Sequence, residues 1–265
     1  MPGQGARARL KPPSWTVDFP GMGKILPALA VPLAALAVCE TASADSAPGP
    51  TPAPAPASTP LQQGALLKRI VFVWARARPS TRARKVERVW DRSPFSRRRT
   101  VVPVVSQAAD PRGRRWLQVR LPTRPNGHTG WIPARSAKLV GLRWRIAVVR
   151  SKRRATLFRD GEPVRTFRVV VGARRSPTPR GHYFVVDRVL LHVSWAPRRW
   201  ALATSAYSHV FRHFDGGNGQ VALHARGFLR DRLGTAASHG CVRFADGDMA
   251  WLVRRVPNGT PIDVR

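Results

Sequence analysis

Turn signals cut this chain into apolar segments too short for ordinary helices, and that pattern constrains its fold more than any other feature. Leu117, Val119 and Leu121 alternate with Gln118 and Arg120, the period of a half-buried strand. Pro125-Asn126-Gly127 then leads into Thr129-Gly130-Trp131-Ile132, so residues 115–133 read as a hairpin with a wide connection. Asp160-Gly161 between Thr156–Phe158 and Val164–Val171 signals a second hairpin. Ile146–Val149 alternates little and is expected to be buried, while Pro177-Thr178-Pro179-Arg180-Gly181 makes a rigid loop whose glycine can take positive φ. His182–Val186 resumes the strand pattern. Asp246–Arg255, acids first and arginine last, suits a short helix, and Pro261–Val264 is a closing strand. The expected class is mainly β, and no internal repeat points to a solenoid or propeller.

The first 44 residues read differently. Lys24 precedes an apolar run, Ile25–Val38, and Ala42-Ser43-Ala44 supplies the small residues of a cleavage site, so residues 1–44 are expected to be a signal peptide, with Met22 as an alternative start. The run is too short to span a bilayer as a helix. Cys39 raises a lipoprotein reading, against which Val38 stands where a lipobox expects Gly, Ala or Ser. Residues 45–66 are Pro/Ala-rich and read as a semi-rigid tether. Two globular parts follow, 67–141 and 142–265. Nine Trp, ten Phe and 43% apolar residues are enough for their cores and exclude disorder throughout.

Export would leave Cys241 as the single thiol, without an intramolecular disulfide partner. It stands in Ser238-His239-Gly240-Cys241-Val242-Arg243, beside an imidazole and a guanidinium, a setting expected to favour thiolate. Gly240 lets a carbonyl approach the backbone, and the N–H groups of Gly240 and Cys241 could form an oxyanion hole. Two histidines compete as base. His239 lies two residues from the thiol, about 6.6 Å in extended chain, too far for a direct hydrogen bond without a bend. His224, in Val221-Ala222-Leu223-His224-Ala225, can be brought across by an adjacent strand. Because Ala225 has no polar side chain, a backbone carbonyl must orient that imidazole. His209 and His213 have the spacing of a helical zinc pair, but no Glu lies between them, and neither a metal nor a cofactor is expected. Trp195 and Trp200 could wall a cleft or fill a core.

The His224 segment, the TPRG loop and the SHGCVR string together resemble the L,D-transpeptidase (YkuD-type) catalytic domain, a β-sandwich, over roughly 145–265. That resemblance implies Cys241 as nucleophile, His224 as base and His239 as a second histidine assisting substrate and thiolate. It also implies Gly240, Ser238, Arg243 and Tyr207 as oxyanion or substrate-binding groups. The implied donor and acceptor are peptidoglycan stem peptides: the thiolate releases D-Ala from a tetrapeptide stem, and the amine of a second stem resolves the thioester. Carbapenems would acylate the same sulfur. One departure from the family's pattern is Ala225, where many members carry Gly, Ser or Asp. Trp116–Trp131, with LPTRPNGHTGW inside it, resembles the Src-homology-3-like barrels found beside such domains in actinobacteria.

The net charge of +32 is spread over both parts, with 19 basic against 3 acidic residues in 68–140 and 23 against 8 in 142–265. A nucleic-acid binder would share that balance. Export removes the usual partner, so anionic cell-wall polymers are expected instead, with the protein at the wall. A stem-trimming L,D-carboxypeptidase and an inactive wall-binding protein remain alternatives. A papain-like hydrolase is disfavoured, because His224 precedes Cys241.

Overall fold

The structure, a computed structural model, describes residues 62–193, 196–214 and 217–265, without the side chains of 192–198. The expected signal peptide, Met22 start, Cys39, most of the tether and Trp195 lie outside the described residues. The described residues all belong to one compact unit.

Seven strands form the amino-terminal sheet: β1 Gln62–Leu67, β2 Phe72–Arg76, β3 Lys85–Trp90, β4 Val101–Ala109, β5 Arg115–Arg120, β6 Thr129–Pro133 and β7 Ala137–Leu142. Their order is β3-β2-β6-β5-β4-β1-β7, and the β5–β6 hairpin pairs Trp116 with Pro133 through Arg120 with Thr129, as the turn at 125–127 predicts. The tether ends earlier than expected. Gln62–Leu67 is strand between β4 and β7, because Ala65 and Leu67 are apolar at alternate positions and both are fully buried.

The carboxyl-terminal strands are β8 Trp144–Val149, β9 Arg154–Arg159, β10 Glu162–Arg168, β11 Val171–Gly172, β12 Gly181–Val193, β13 Ala196–Tyr207, β14 Gln220–Ala225, β15 Ala236–Ser238, β16 Val242–Phe244 and β17 Pro261–Val264. Eight form a sheet in the order β10-β9-β8-β17-β12-β13-β14-β16, and β11 pairs with β15 in parallel. The sheet folds over on itself: Phe167 of β10 meets Phe244 of β16 edge-on, centroids 5.4 Å apart, although these strands stand at opposite ends of the order. Val148, Leu157, Val185, Leu223 and Val242 fill the space between. Asp160-Gly161 does make the β9–β10 turn, with φ of 53° and 94°. Ile146–Val149 is buried only at Ile146 and Val148, because β8 uses alternate residues. The single α-helix among the described residues, α1 Asp246–Val253, stops two residues short of the expected end.

β12 joins the two sheets. Tyr183 and Val185 point into the carboxyl-terminal core, whereas Phe184, 1% exposed, lies in the amino-terminal core with Val119, Leu121 and Ile132. Successive side chains of a strand face opposite ways, so one strand serves two cores. Asp187, fully buried, accepts from Phe95 N (3.0 Å), Ser96 N (2.8 Å) and Ser96 Oγ (2.5 Å). Phe184→Ala should therefore cost about 3–5 kcal/mol. Urea unfolding should still show one transition for both sheets at a lower midpoint; two separated transitions would contradict the shared core.

Candidate active site

β14 and β16 run parallel with Leu223 opposite Val242 and His224 opposite Arg243. Val221, Leu223 and Ala225 face the core, as do Val242 and Phe244, so alternation places Ala222, His224, Cys241 and Arg243 together on the other face. Cys241 falls opposite Ala222, whose N–H reaches Sγ at 3.4 Å. Cys241 and His224 are thus one strand and two residues apart, about 8 Å between α-carbons from the strand spacings, a gap that a thiol and an imidazole can bridge.

His224 is buried, 6% exposed. Its Nδ1 lies 2.7 Å from the carbonyl of Ala225; a carbonyl can only accept, so Nδ1 carries the proton and Nε2 the basic lone pair. This is the backbone orienting group that the apolar side chain of Ala225 requires. Burial, with a smaller push from Arg243, brings the imidazole down to about 4 against the opposing Ala225 bond, Asp231 and Asp246. Burial also pushes the Cys241 thiol up, against the Ala222 N–H and Arg243. The expected resting thiolate is therefore replaced by a neutral thiol beside a neutral base. Desolvation of the charged forms outweighs the nearby cation.

Gly240 takes a φ of +125°, which favours glycine, and a Cβ there would meet no protein atom closer than 3.8 Å. Its N–H donates to Ser238 Oγ at 3.2 Å. Ser238 does not face substrate: it is fully buried, and its hydroxyl donates to Cys241 O at 2.5 Å. Its carbonyl takes Ala173 N (2.8 Å) and Ser176 Oγ (3.2 Å), so the segment before the Pro177–Gly181 loop braces the turn that carries Cys241. Arg243, expected near the sulfur or a substrate carboxylate, forms a part-buried ion pair with Asp231 at 2.8 Å. Tyr207 Oη donates to Pro122 O at 3.2 Å, which engages the proton an oxyanion would need.

His239 is exposed and packs on Phe211 and Phe214, with centroids 6.0 and 4.8 Å away. His209 and His213 lie in a loop, so their spacing does not place them on one helical face, and among the described residues no three His, Cys, Asp or Glu cluster around a metal position. Trp200 is partly exposed on β13. Asp231 was not singled out by sequence reasoning; its only signal is its rarity as an acid in so basic a chain.

Residues 143–264 match the family model of the YkuD L,D-transpeptidase catalytic domain. No curated protein matches the chain. Among solved structures, an L,D-transpeptidase from Mycobacterium smegmatis is similar at 18% identity, covering 62% of this chain and 90% of its own, with a TM-score of 0.38. One from Mycobacterium tuberculosis H37Rv is 17% identical over 62% and 90%, TM-score 0.41. L,D-transpeptidase 3 of Mycobacterium tuberculosis, in complex with a faropenem-derived adduct, is 16% identical over 78% and 82%, TM-score 0.40.

A protonated imidazole cannot accept the thiol proton, so acylation of Cys241 should fall as pH drops through about 4 and stay flat through the ordinary histidine range near 6.5. The pH dependence of kcat/KM measures this; an inflection near 6.5 would show a base of ordinary basicity.

Proposed function

We propose that this chain, whose residues 143–264 match the family model of the YkuD L,D-transpeptidase catalytic domain, is an exported peptidoglycan L,D-transpeptidase with Cys241 as nucleophile and His224 as general base. The observation that carries this reading is the bond from His224 Nδ1 to Ala225 O, which leaves Nε2 basic on the face that bears Cys241.

The resting thiol is neutral, so its proton leaves as the sulfur attacks. Sγ adds to the carbonyl that links meso-diaminopimelate to D-Ala, and the proton passes to Nε2. The oxyanion meets the Cys241 N–H. Collapse breaks the C–N bond, and the imidazolium returns its proton to the departing amine, leaving a thioester on Sγ. The side-chain amine of a second stem then attacks the thioester, its proton goes to the imidazole, and the thiol is restored as the new amide forms. Splitting one amide exchange into two acyl transfers replaces a difficult step by two easier ones. Water in place of the second amine would make the reaction a carboxypeptidation.

A carbapenem would acylate the same sulfur through its strained amide. The basic surface suits retention by anionic wall polymers once the protein is outside the cell. Intact-protein mass spectrometry should show one carbapenem adduct on the wild type and none on Cys241→Ala. His224→Ala should slow acylation by about 10²–10⁴-fold, the usual range for a lost general base. Wild-type protein that takes no adduct would leave the inactive wall-binding reading in its place.

A further inference from the structure

The connection from β13 to β14 carries Phe211 and Phe214, whose rings flank His239, two residues before the nucleophile. Among its described residues, Phe214 and Gly217 form a bridge. Its chain closes on itself at Gly219, where a Cβ would lie 2.1 Å from Phe211 O and φ is +71°. The loop also has its own bonds, with Ser208 Oγ accepting from Val210 N and Phe211 N and Ser208 N donating to Gly219 O, and an outside partner adds to them.

That partner comes from the amino-terminal sheet, in the turn between β5 and β6. Arg124 donates through Nη1 to Ser208 O at 2.9 Å, and through Nη2 to Phe211 O at 2.9 Å and Asn218 O at 3.3 Å. Its guanidinium also stacks on the Tyr207 ring, 4.8 Å from the centroid. Asn126 pairs with the backbone of Tyr207 twice, Nδ2 donating to Tyr207 O at 2.7 Å and Oδ1 accepting from Tyr207 N at 2.8 Å. Three carbonyls from both ends and the middle of the loop converge on one planar cation, a geometry that a guanidinium satisfies and an ammonium does not.

We infer that Arg124 and Asn126 are positioning residues for the acyl-transfer reaction: they hold the 208–219 connection, and with it the aromatic pair packed on His239, two residues before Cys241, so that the amino-terminal sheet is part of the substrate site. This inference rests on the transpeptidase reading. Neither residue makes a hydrogen bond to Cys241 or His224, which are held by β14 and the turn before β16. Loosening that pair therefore affects the binding of an extended donor and spares the proton transfer. Arg124, Tyr207, Arg212, His213 and Asn218 also line an open cavity of about 390 Å³, so the connection has a hollow on the side of the clamp.

The test compares wild type, Arg124→Ala, Arg124→Lys and Asn126→Ala in three measurements: saturation kinetics of carbapenem acylation and of stem-tetrapeptide turnover, alkylation by iodoacetamide, and thermal midpoint. Arg124→Ala should raise the donor saturation constant about tenfold, as expected for lost charge-assisted hydrogen bonds. The limiting rate should stay within about threefold of wild type, and alkylation should be unchanged. Arg124→Lys should recover only part of the loss, and added guanidinium ion should rescue Arg124→Ala but not Asn126→Ala. If Arg124→Ala does not fold, Asn126→Ala carries the comparison with the same expected split. A wild type that acylates, with Arg124→Lys and Asn126→Ala matching it in saturation constant, overturns the inference. A wild type that does not acylate overturns the transpeptidase reading instead.

Discussion

A single backbone carbonyl decides what the site can do. Ala225 O accepts the His224 Nδ1 proton, and this fixes the tautomer, the ring plane and the direction of the Nε2 lone pair at once. A carboxylate in that position would add negative charge and hold the imidazole up. The carbonyl adds only a dipole, and it does not overcome burial, so the ring stays neutral well below ordinary histidine values. A neutral imidazole next to a neutral, half-buried thiol is stable without substrate. The thiolate becomes favourable only as the new bond takes up its charge, which also protects the sole described thiol from chance oxidation.

That carbonyl is useful only because the sheet closes over itself. β10 and β16 meet through Phe167 and Phe244, Val170 exchanges backbone hydrogen bonds with Arg243 at 2.9 Å each way, and β11 pairs with β15 just before the turn that carries Cys241. The turn itself is tightened by the Ser238 hydroxyl, which spans Gly240 N–H and Cys241 O, and by the positive φ of Gly240. A Cβ at Gly172 would lie 2.3 Å from Thr178 N, so the loop bracing Ser238 has no room for any other residue there. The reactive pair is thus held by long-range closure of strands, with local sequence supplying only the turn.

The parts legible in the sequence were those carried by neighbours in the chain. The 160–161 hairpin, the 125–127 turn, the closing strand and the location of Cys241 and His224 all follow from spacing or turn chemistry. Ala225 forces a backbone orienter by default, and the carbonyl is its own. What escaped was set by distant partners. The role of Ser238 depends on Ala173 and Ser176, that of Arg243 on Asp231, and that of Tyr207 on Pro122 and Asn126. No periodicity encodes such pairings. The tether boundary failed for a related reason: Gln62–Leu67 has small residues that look like linker until β4 and β7 enclose them. The thiol's ionisation failed because a cationic neighbourhood is visible in sequence whereas the desolvation opposing it is a property of the fold.

The scarcity of acids explains much of the remaining design. Fourteen carboxylates face 46 basic side chains, and the described aspartates of the carboxyl-terminal part are committed to structure. Asp187 anchors the 95–96 loop, Asp231 neutralises Arg243, and Asp246 takes Arg199 at 2.6 Å and Gly227 N at 2.8 Å. Asp263 pairs with His182 and Asp160 with Arg143. Removing one partner of a part-buried pair such as Arg243–Asp231 leaves an uncompensated charge and costs about 3–5 kcal/mol, so these acids cannot be reassigned to the imidazole. A backbone carbonyl needs no counter-charge and is supplied by whichever residue follows the histidine. In a chain this basic, it is the orienting group that leaves every described acid in that part free for the fold.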